Sequence, residues 1–331
     1  MKKSRILGVG RYLPEKIVTN FDLEKMMDTT DEWIRQRTGI EQRRFAAEGE
    51  GAALMGARAG EEAIKNAGLK KGDIDFIIFA TLSPDYNFPG SGVFVQDLLG
   101  IEPIGALDVR NQCTGFIYSL SIADQFIKTG MYKHILVIGS EVHSTGNEFT
   151  TRGRDVAVLF GDGAGAVVVG ESEDEKRGIL STHLHSEGKY AKELWVEAPA
   201  SVLHPRLTHE MLDQGRHYPK MNGKNVYKHA VTRMPEVIME ALNANGYKVS
   251  DIDLLVPHQA NMRINEYVAG TLGIAPEKVV HNIQKYGNTT AATIPLCFYD
   301  AIEDGRLKPG ALVCVAAFGA GFTWASSLLR W

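Results

Sequence analysis

The sequence predicts an α/β protein of five layers, α-β-α-β-α, assembled from two duplicated halves. Three observations predict it: an internal repeat, apolar runs of strand length, and amphipathic helices that end at glycine. In the repeat, Gly68-Leu-Lys-Lys-Gly-Asp-Ile-Asp-Phe-Ile-Ile-Phe matches Gly246-Tyr-Lys-Val-Ser-Asp-Ile-Asp-Leu-Leu-Val-Pro. Each runs from a glycine through a polar turn and Asp-Ile-Asp into an apolar strand. Helical patterns precede them, from Ala57 to Ala67 and from Pro235 to Asn245.

A second unit follows in each half. Cys113-Thr-Gly-Phe-Ile-Tyr-Ser-Leu leads through Lys128-Thr-Gly130 to the strand His134-Ile-Leu-Val-Ile-Gly. Asn288-Thr-Thr-Ala-Ala-Thr-Ile-Pro leads through Glu303-Asp-Gly305 to Leu312-Val-Cys-Val-Ala. Glycine after the last helical turn is what a left-handed C-cap requires. The pairs 113/288 and 130/305 share one offset, which places Cys113 and Asn288 as equivalents at the starts of two central helices. Phe76-Ile-Ile-Phe-Ala, Val156-Ala-Val-Leu-Phe and Ala166-Val-Val-Val read as strands buried on both faces, which helices must cover. The halves are expected at 1–172 and 173–331, meeting at the polar turn 171–178, with an irregular insertion near 185–222 in the second half.

Composition narrows the function. The chain has 331 residues, 44% hydrophobic and 23% charged, an ordinary globular balance long enough for a large core. A net charge of −4 gives no basic excess for binding nucleic acid. No stretch reaches the ~20 apolar residues of a membrane span, and the opening MKKSRILGVGRYLP lacks the apolar core of a secretory leader. Cytoplasm is the expected compartment. Three widely spaced cysteines fit neither a disulfide framework nor a zinc knuckle, so no metal is expected.

Position separates the cysteines. Cys297 falls in a helical pattern and Cys314 in an apolar strand, where both read as core. Cys113 opens an amphipathic helix, where free N–H groups and the positive dipole end favour a thiolate. His258, in Val256-Pro-His-Gln-Ala-Asn261, lies just past a strand end, the usual place for chemistry in α/β proteins. The other histidines read as structural. Asn288 is either an N-cap bonded to its own backbone or an outward donor facing Cys113. The glycines of Phe318-Gly-Ala-Gly-Phe322 let backbone N–H groups approach an oxyanion. Neither they nor Gly161-Asp-Gly-Ala-Gly165 form a nucleotide loop.

Taken in order, Trp33-Ile-Arg-Gln-Arg-Thr-Gly-Ile40, Cys113-Thr-Gly-Phe116, Phe160-Gly-Asp-Gly-Ala-Gly165, Val256-Pro-His-Gln-Ala-Asn261, Gly287-Asn-Thr-Thr-Ala-Ala292 and Phe318-Gly-Ala-Gly-Phe-Thr-Trp324 resemble the β-ketoacyl-acyl carrier protein synthase III family of thiolase-fold condensing enzymes. The resemblance spans nearly the whole chain and implies a thiolase-like fold. It implies a decarboxylative Claisen condensation of an acyl-CoA with malonyl-acyl carrier protein, as in fatty-acid initiation. Cys113 would carry the acyl group, and the N–H groups of Cys113 and Ala320 would form the oxyanion hole. His258 and Asn288 would act as neutral donors to the malonyl thioester. Trp33, Arg37 and Arg152 would bind coenzyme A; Asn261 and Arg263 would lie on the carrier-protein side. Phe88 would reach the acyl pocket of a second subunit in a homodimer. Coenzyme A and carrier-protein thioesters would be substrates, with no cofactor.

The sequence departs from the family pattern at Thr114 and Ala325. By comparison with the family, it is also about a dozen residues longer between Cys113 and His258, an excess placed between Tyr190 and Asn222. These departures keep two alternatives open: a specialised relative using another acyl primer or malonyl-CoA, and an acyltransferase or thioesterase that retains only the acyl-Cys113 step. A thiolase would need a second cysteine in the last glycine-rich loop, and residues 317–322 contain none.

Overall fold

The computed structural model describes residues 2–174 and 176–331. Its strands are β1 (Ser4–Tyr12), β2 (Lys16–Thr19), β3 (Gln42–Phe45), β4 (Phe76–Ala80), β5 (Gly105–Val109), β6 (His134–Glu141), β7 (Gly163–Glu171), β8 (Gly178–Ser186), β9 (Leu194–Trp195), β10 (Lys220–Met221), β11 (Leu254–Pro257), β12 (Leu312–Gly319) and β13 (Thr323–Arg330). Its α-helices are α1 (Asn20–Glu24), α2 (Asp31–Thr38), α3 (Ala52–Asn66), α4 (Ser91–Leu99), α5 (Gly115–Lys128), α6 (Arg154–Ala157), α7 (His209–Asp213), α8 (Gly223–Ala244), α9 (Met262–Leu272), α10 (Ile283–Tyr286) and α11 (Thr293–Glu303).

Two sheets carry the fold, ordered β1-β7-β6-β4-β5 and β8-β13-β12-β11. Their pairings correspond. β4 and β6 are parallel, as are β11 and β12, while β7 and β13 are antiparallel to their neighbours. Where the first sheet has β5, the second keeps one parallel bridge, Leu255 to Val279.

Alternation along the strands sets the layers. Ile77 and Phe79 face α3 and α4 on one side of the first sheet, and Ile78 faces the interior. In the second sheet Cys314 and Ala316 face α8 and α9, and Val313 and Val315 face inward. Phe116, Ile117 and Leu120 of α5 meet Ile294, Cys297 and Phe298 of α11 between the sheets. Two helices therefore lie sandwiched between two sheets, each covered outside by helices, as expected of five layers.

The Asp-Ile-Asp repeat has one physical job in both halves. Its first aspartate closes a single turn: Asp73 accepts from the Lys70 N–H at 2.8 Å, and Asp251 from the Lys248 N–H at 2.7 Å. Its second aspartate ties the strand to its parallel neighbour. Asp75 accepts from the His134 N–H at 3.0 Å, and Asp253 from the Leu312 N–H at 2.8 Å.

Three local expectations are corrected. Residues 156–160 are not a strand. Val156 and Ala157 donate back to Gly153 O, giving α6, and only Phe160 makes an isolated bridge, to Asn288. A short apolar run fits a buried turn as well as a strand. Next, α8 starts at Gly223, twelve residues before the start at Pro235 that the helical pattern predicts, and runs through that proline. Ala230 and Met234 extend its apolar stripe across the second sheet, and that burial outweighs the lost N–H. Finally, β8 continues to Ser186, so the irregular segment starts two residues later than expected. It holds a two-turn 3-10 helix at 188–193, the β9–β10 pair and α7, and ends at Asn222, which caps α8.

Candidate active site

β5 delivers the chain to the turn Gln112–Thr114, which opens α5. Cys113 lies in this turn and is 7% exposed. β12 ends against it. A Cβ on Gly319 would fall 2.5 Å from Cys113 Cβ and 2.8 Å from Sγ, so only glycine fits there. That close approach brings the Ala320 N–H to Sγ, together with the N–H of Cys113 itself.

The expected thiolate is not what the resting site favours. Burial pushes the Cys113 thiol up to about 12, and the nearby Glu141 carboxyl adds to the rise. The two N–H groups act in the other direction but are outweighed. Cys113 therefore rests as a thiol and has to lose its proton when it reacts.

The equivalence of Cys113 and Asn288 is also corrected. Gln112 and Thr290 are the only non-glycine residues with positive φ among those described, and both have φ +47°. Gln112 opens the turn before α5, and Thr290 opens the turn 290–292 before α11. Residues 112, 115 and 134 thus pair with 290, 293 and 312, each 178 apart. Ala291 occupies the place of Cys113, and Asn288 lies three residues earlier. The matching offset at 130 and 305 arises because α11, at 11 residues, is three shorter than α5, at 14.

Asn288 shows the first of the two roles weighed for it, a bond to its own backbone. Its Oδ1 accepts from the Thr290 N–H at 2.9 Å, which commits the oxygen end to its own turn and turns the NH2 end away. Its backbone N–H donates to Leu159 O at 2.8 Å and its carbonyl accepts from Gly161 N–H at 3.2 Å. His258 follows β11, and its N–H donates to Ala316 O at 2.8 Å. Its Nδ1 lies 2.7 Å from Thr293 Oγ1, and its Nε2 is buried with no protein partner. The turn carrying Cys113 packs on the 290–292 turn, with Ala291 Cβ within 3.9 Å of a Cβ built on Gly115. The three expected residues thus come from two adjoining helix-start turns and a strand end bonded to one of them.

Four residues around these turns escaped the sequence reading. Glu141, fully buried at the end of β6, accepts from Thr81 Oγ1, the Leu82 and Ser83 N–H groups and Ser83 Oγ at 2.6–3.2 Å. It also reaches the Ala291 N–H at 3.5 Å. Burial still pushes it up to about 7. His143 is stacked on Phe160, and its Nε2 lies 2.8 Å from Thr290 Oγ1. Thr290 and Thr293 complete the set. Glu141 and His143 continue a strand whose apolar pattern gives no sign of the turn it faces.

The acid response follows from burial. His143 and His258 are pushed down to about 3 and His281 to about 4, so all three are neutral in the fold. Their stability contribution is present above pH 6.5 and lost as pH falls toward those values. Glu141 acts oppositely: its contribution is present below 4.5 and lost as pH rises through about 7. At about 1.4 kcal/mol per pKa unit, three imidazoles outweigh one carboxyl. The melting temperature is expected to fall between pH 6.5 and 4.5, and more steeply in Glu141→Gln. A flat profile would contradict these assignments.

The expected binding residues divide. Trp33 on α2 has Arg37 at 4.3 Å and Arg154 at 5.2 Å from its ring centroid. Asn261 Nδ2 donates to Arg37 O at 2.9 Å, while its Oδ1 caps α9 through the Arg263 N–H at 2.9 Å. Arg263 lies over Tyr227. Arg152 instead bonds Glu148 at 2.7 Å and the Asp213 carbonyl of α7 at 3.1 Å. Arg154, which drew no notice in the sequence, holds the position beside the indole. Phe88 lies in the loop before α4 and is 84% exposed. Among the described residues, no helix is long and apolar enough to cross a membrane.

The chain is similar over nearly its whole length to known proteins. Sequence models of 3-oxoacyl-[acyl-carrier-protein] synthase III match residues 107–188, and models of its C-terminal region match 242–331. The chain is 46% identical over 327 residues to a β-ketoacyl-[acyl-carrier-protein] synthase III of Aliivibrio fischeri, covering 99% of both chains. It is 47% identical over 330 residues to a synthase III of Vibrio vulnificus, again covering 99% of both. The crystal structure of 3-oxoacyl-[acyl-carrier-protein] synthase III from Aquifex aeolicus superposes with a TM-score of 0.91 at 44% identity, covering 99% of this chain and 100% of the other.

Proposed function

The chain belongs to the β-ketoacyl-[acyl-carrier-protein] synthase III family, and we propose that Cys113, His258 and Asn288 carry out its reaction. It is a condensing acyltransferase that joins an acyl-CoA to malonyl-acyl carrier protein, the initiating step of fatty-acid synthesis. Cys113 Sγ attacks the acyl-CoA carbonyl. The N–H groups of Cys113 and Ala320 stabilise the tetrahedral oxyanion, and coenzyme A leaves. The malonyl thioester then takes its place. Its carboxylate departs as carbon dioxide, and the enolate oxygen is held by hydrogen bonds from the His258 ring and Asn288 Nδ2. The enolate carbon attacks the acyl carbon, and the C–S bond breaks to release Cys113 as a thiolate, which then regains a proton. Every step makes or breaks a bond at a thioester, with no net electron transfer, so the reaction needs no redox cofactor.

One observation carries this assignment of roles: two backbone N–H groups meet at a buried cysteine sulfur, with His258 Nε2 unpartnered and the oxygen end of the Asn288 amide committed to its own turn. Arg37 and Arg154 beside Trp33 suit the adenine and phosphates of coenzyme A by stacking and charge. Arg152 would act from the mouth of the same region, with Asn261 and Arg263 on the side receiving the carrier protein. Exposed Phe88 suits burial against a second subunit in a homodimer, with its ring entering the neighbour's acyl pocket. Substrates of this kind suit a cytoplasmic enzyme. The two halves, 1–172 and 173–331, would supply the nucleophile and the enolate-binding pair respectively.

The test uses a panel of acyl-CoAs and intact-mass detection of the adduct on Cys113, followed by malonyl-acyl carrier protein or malonyl-CoA. A single acyl adduct that chases into a 3-ketoacyl thioester is expected, and the panel reads out the preferred primer. Release of free acid alone would mark a thioesterase, and no adduct with any acyl-CoA would rule out the nucleophile.

A further inference from the structure

Two hydrogen bonds meet at the hydroxyl of Thr293, the first residue of α11. His258 Nδ1 lies 2.7 Å from its Oγ1, and Oγ1 lies 3.0 Å from the carbonyl of Thr290. A hydroxyl has one hydrogen to give, and a carbonyl can only accept. The hydrogen therefore goes to Thr290 O, and His258 meets an Oγ1 lone pair. Nδ1 must be the ring nitrogen that carries the proton. Burial keeps the ring neutral, and a neutral imidazole has a single N–H, so Nε2 is bare. Nε2 is also the buried ring atom with no partner in the protein.

The acceptor carbonyl is itself held in place. Thr290 has φ +47°, its N–H is bonded to Asn288 Oδ1 and its Oγ1 to His143 Nε2. Thr293 is 1% exposed, so no solvent competes for its hydroxyl.

We propose that Thr293 is a positioning residue that fixes His258 in the Nδ1–H tautomer, so that Nε2 takes the proton of Cys113 and keeps it through the condensation. The proposal rests on the condensing reading above and deepens it, because a neutral His258 in this tautomer has no proton at Nε2 to donate. It must first receive one. In acylation the Cys113 S–H bond breaks, its proton moves to Nε2, and Sγ bonds the acyl carbon. Coenzyme A leaves as a thiolate and is protonated by water. His258 is now an imidazolium, and the incoming malonyl carboxylate brings the opposite charge. After carbon dioxide leaves, the Nε2–H and Asn288 Nδ2 hold the enolate oxygen. The enolate carbon bonds the acyl carbon, the C–S bond to Cys113 breaks, and the departing sulfur recovers its proton from Nε2. The cycle consumes one solvent proton, on coenzyme A.

The tautomer can be read directly. In the full-length protein carrying 15N-histidine, long-range 1H–15N spectra are expected to show His258 with a protonated Nδ1 and a bare Nε2. Its signal is identified by its loss in His258→Asn. A protonated Nε2 in the resting protein would overturn the proposal. Kinetics provide a second arm. Thr293→Val, which keeps the shape and removes the hydroxyl, is expected to slow acyl-Cys113 formation by about tenfold or more with KM for acyl-CoA unchanged. Thr293→Ser is expected to recover most of that rate. Acylation of Thr293→Val at the unmodified rate would also overturn it. A wild-type protein that takes no acyl group would count against the condensing reading instead, and the spectrum would still decide the tautomer.

Discussion

Cys113→Ser is expected to lose acyl-enzyme formation by about a thousandfold or more while keeping the fold. The reason is in the surroundings of the sulfur. The site offers two N–H groups, against burial and a neighbouring carboxyl that both oppose a negative charge. Even the thiol is raised to about 12 there. A serine hydroxyl starts several units higher, and its oxygen is a poorer nucleophile toward a thioester. Oxygen is smaller than sulfur and accepts the same N–H groups, so packing changes little. Intact mass after incubation with acyl-CoA measures the first effect, and a thermal melt measures the second. A serine variant that acylates within tenfold of the parent would remove Cys113 from its role.

Gly319→Ala is expected to lower the condensation rate by about a hundredfold and to cost about 1–3 kcal/mol of stability. The added carbon would meet Cys113 Cβ at 2.5 Å and Sγ at 2.8 Å. Neither atom is the far end of a flexible side chain. Cys113 is held in a turn that starts at Gln112 with φ +47°, and Gly319 is held by β12 pairing to Thr323. Whichever yields, the Ala320 N–H and Sγ move apart, and an oxyanion hole is sensitive to shifts of that size. Turnover and a melt on the same sample check both numbers. Full activity in Gly319→Ala would show that the close approach is not needed for catalysis.

Both predictions concern contacts between the halves, and this is where sequence reasoning was weakest. The Asp-Ile-Asp repeat pointed correctly to two matching sheets because its aspartates bond within a few residues or to the next parallel strand. The positions of Cys113, His258 and Asn288 followed from local signals: a helix start, a strand end, an asparagine in a turn. Their register was not. Glycines at 130 and 305 suggested one offset, whereas the positive-φ residues Gln112 and Thr290 show another. Arg152 was the arginine expected near coenzyme A, yet in the fold it bonds the Asp213 carbonyl of α7, and Arg154, held by the Asp28 carbonyl, lies beside Trp33.

The sequence by itself determined the five-layered α/β fold and its internal repeat, and it singled out three candidate side chains, because strand alternation, helix caps and turn residues are short-range physics. Only the tertiary structure decided their electrical state. Burial pushes the Cys113 thiol up and the His258 imidazole down, and a threonine 35 residues along the chain from His258 holds the Nδ1 side of its ring. Desolvation and hydrogen bonding at a site depend on what the rest of the chain packs around it, and no window of sequence contains that information.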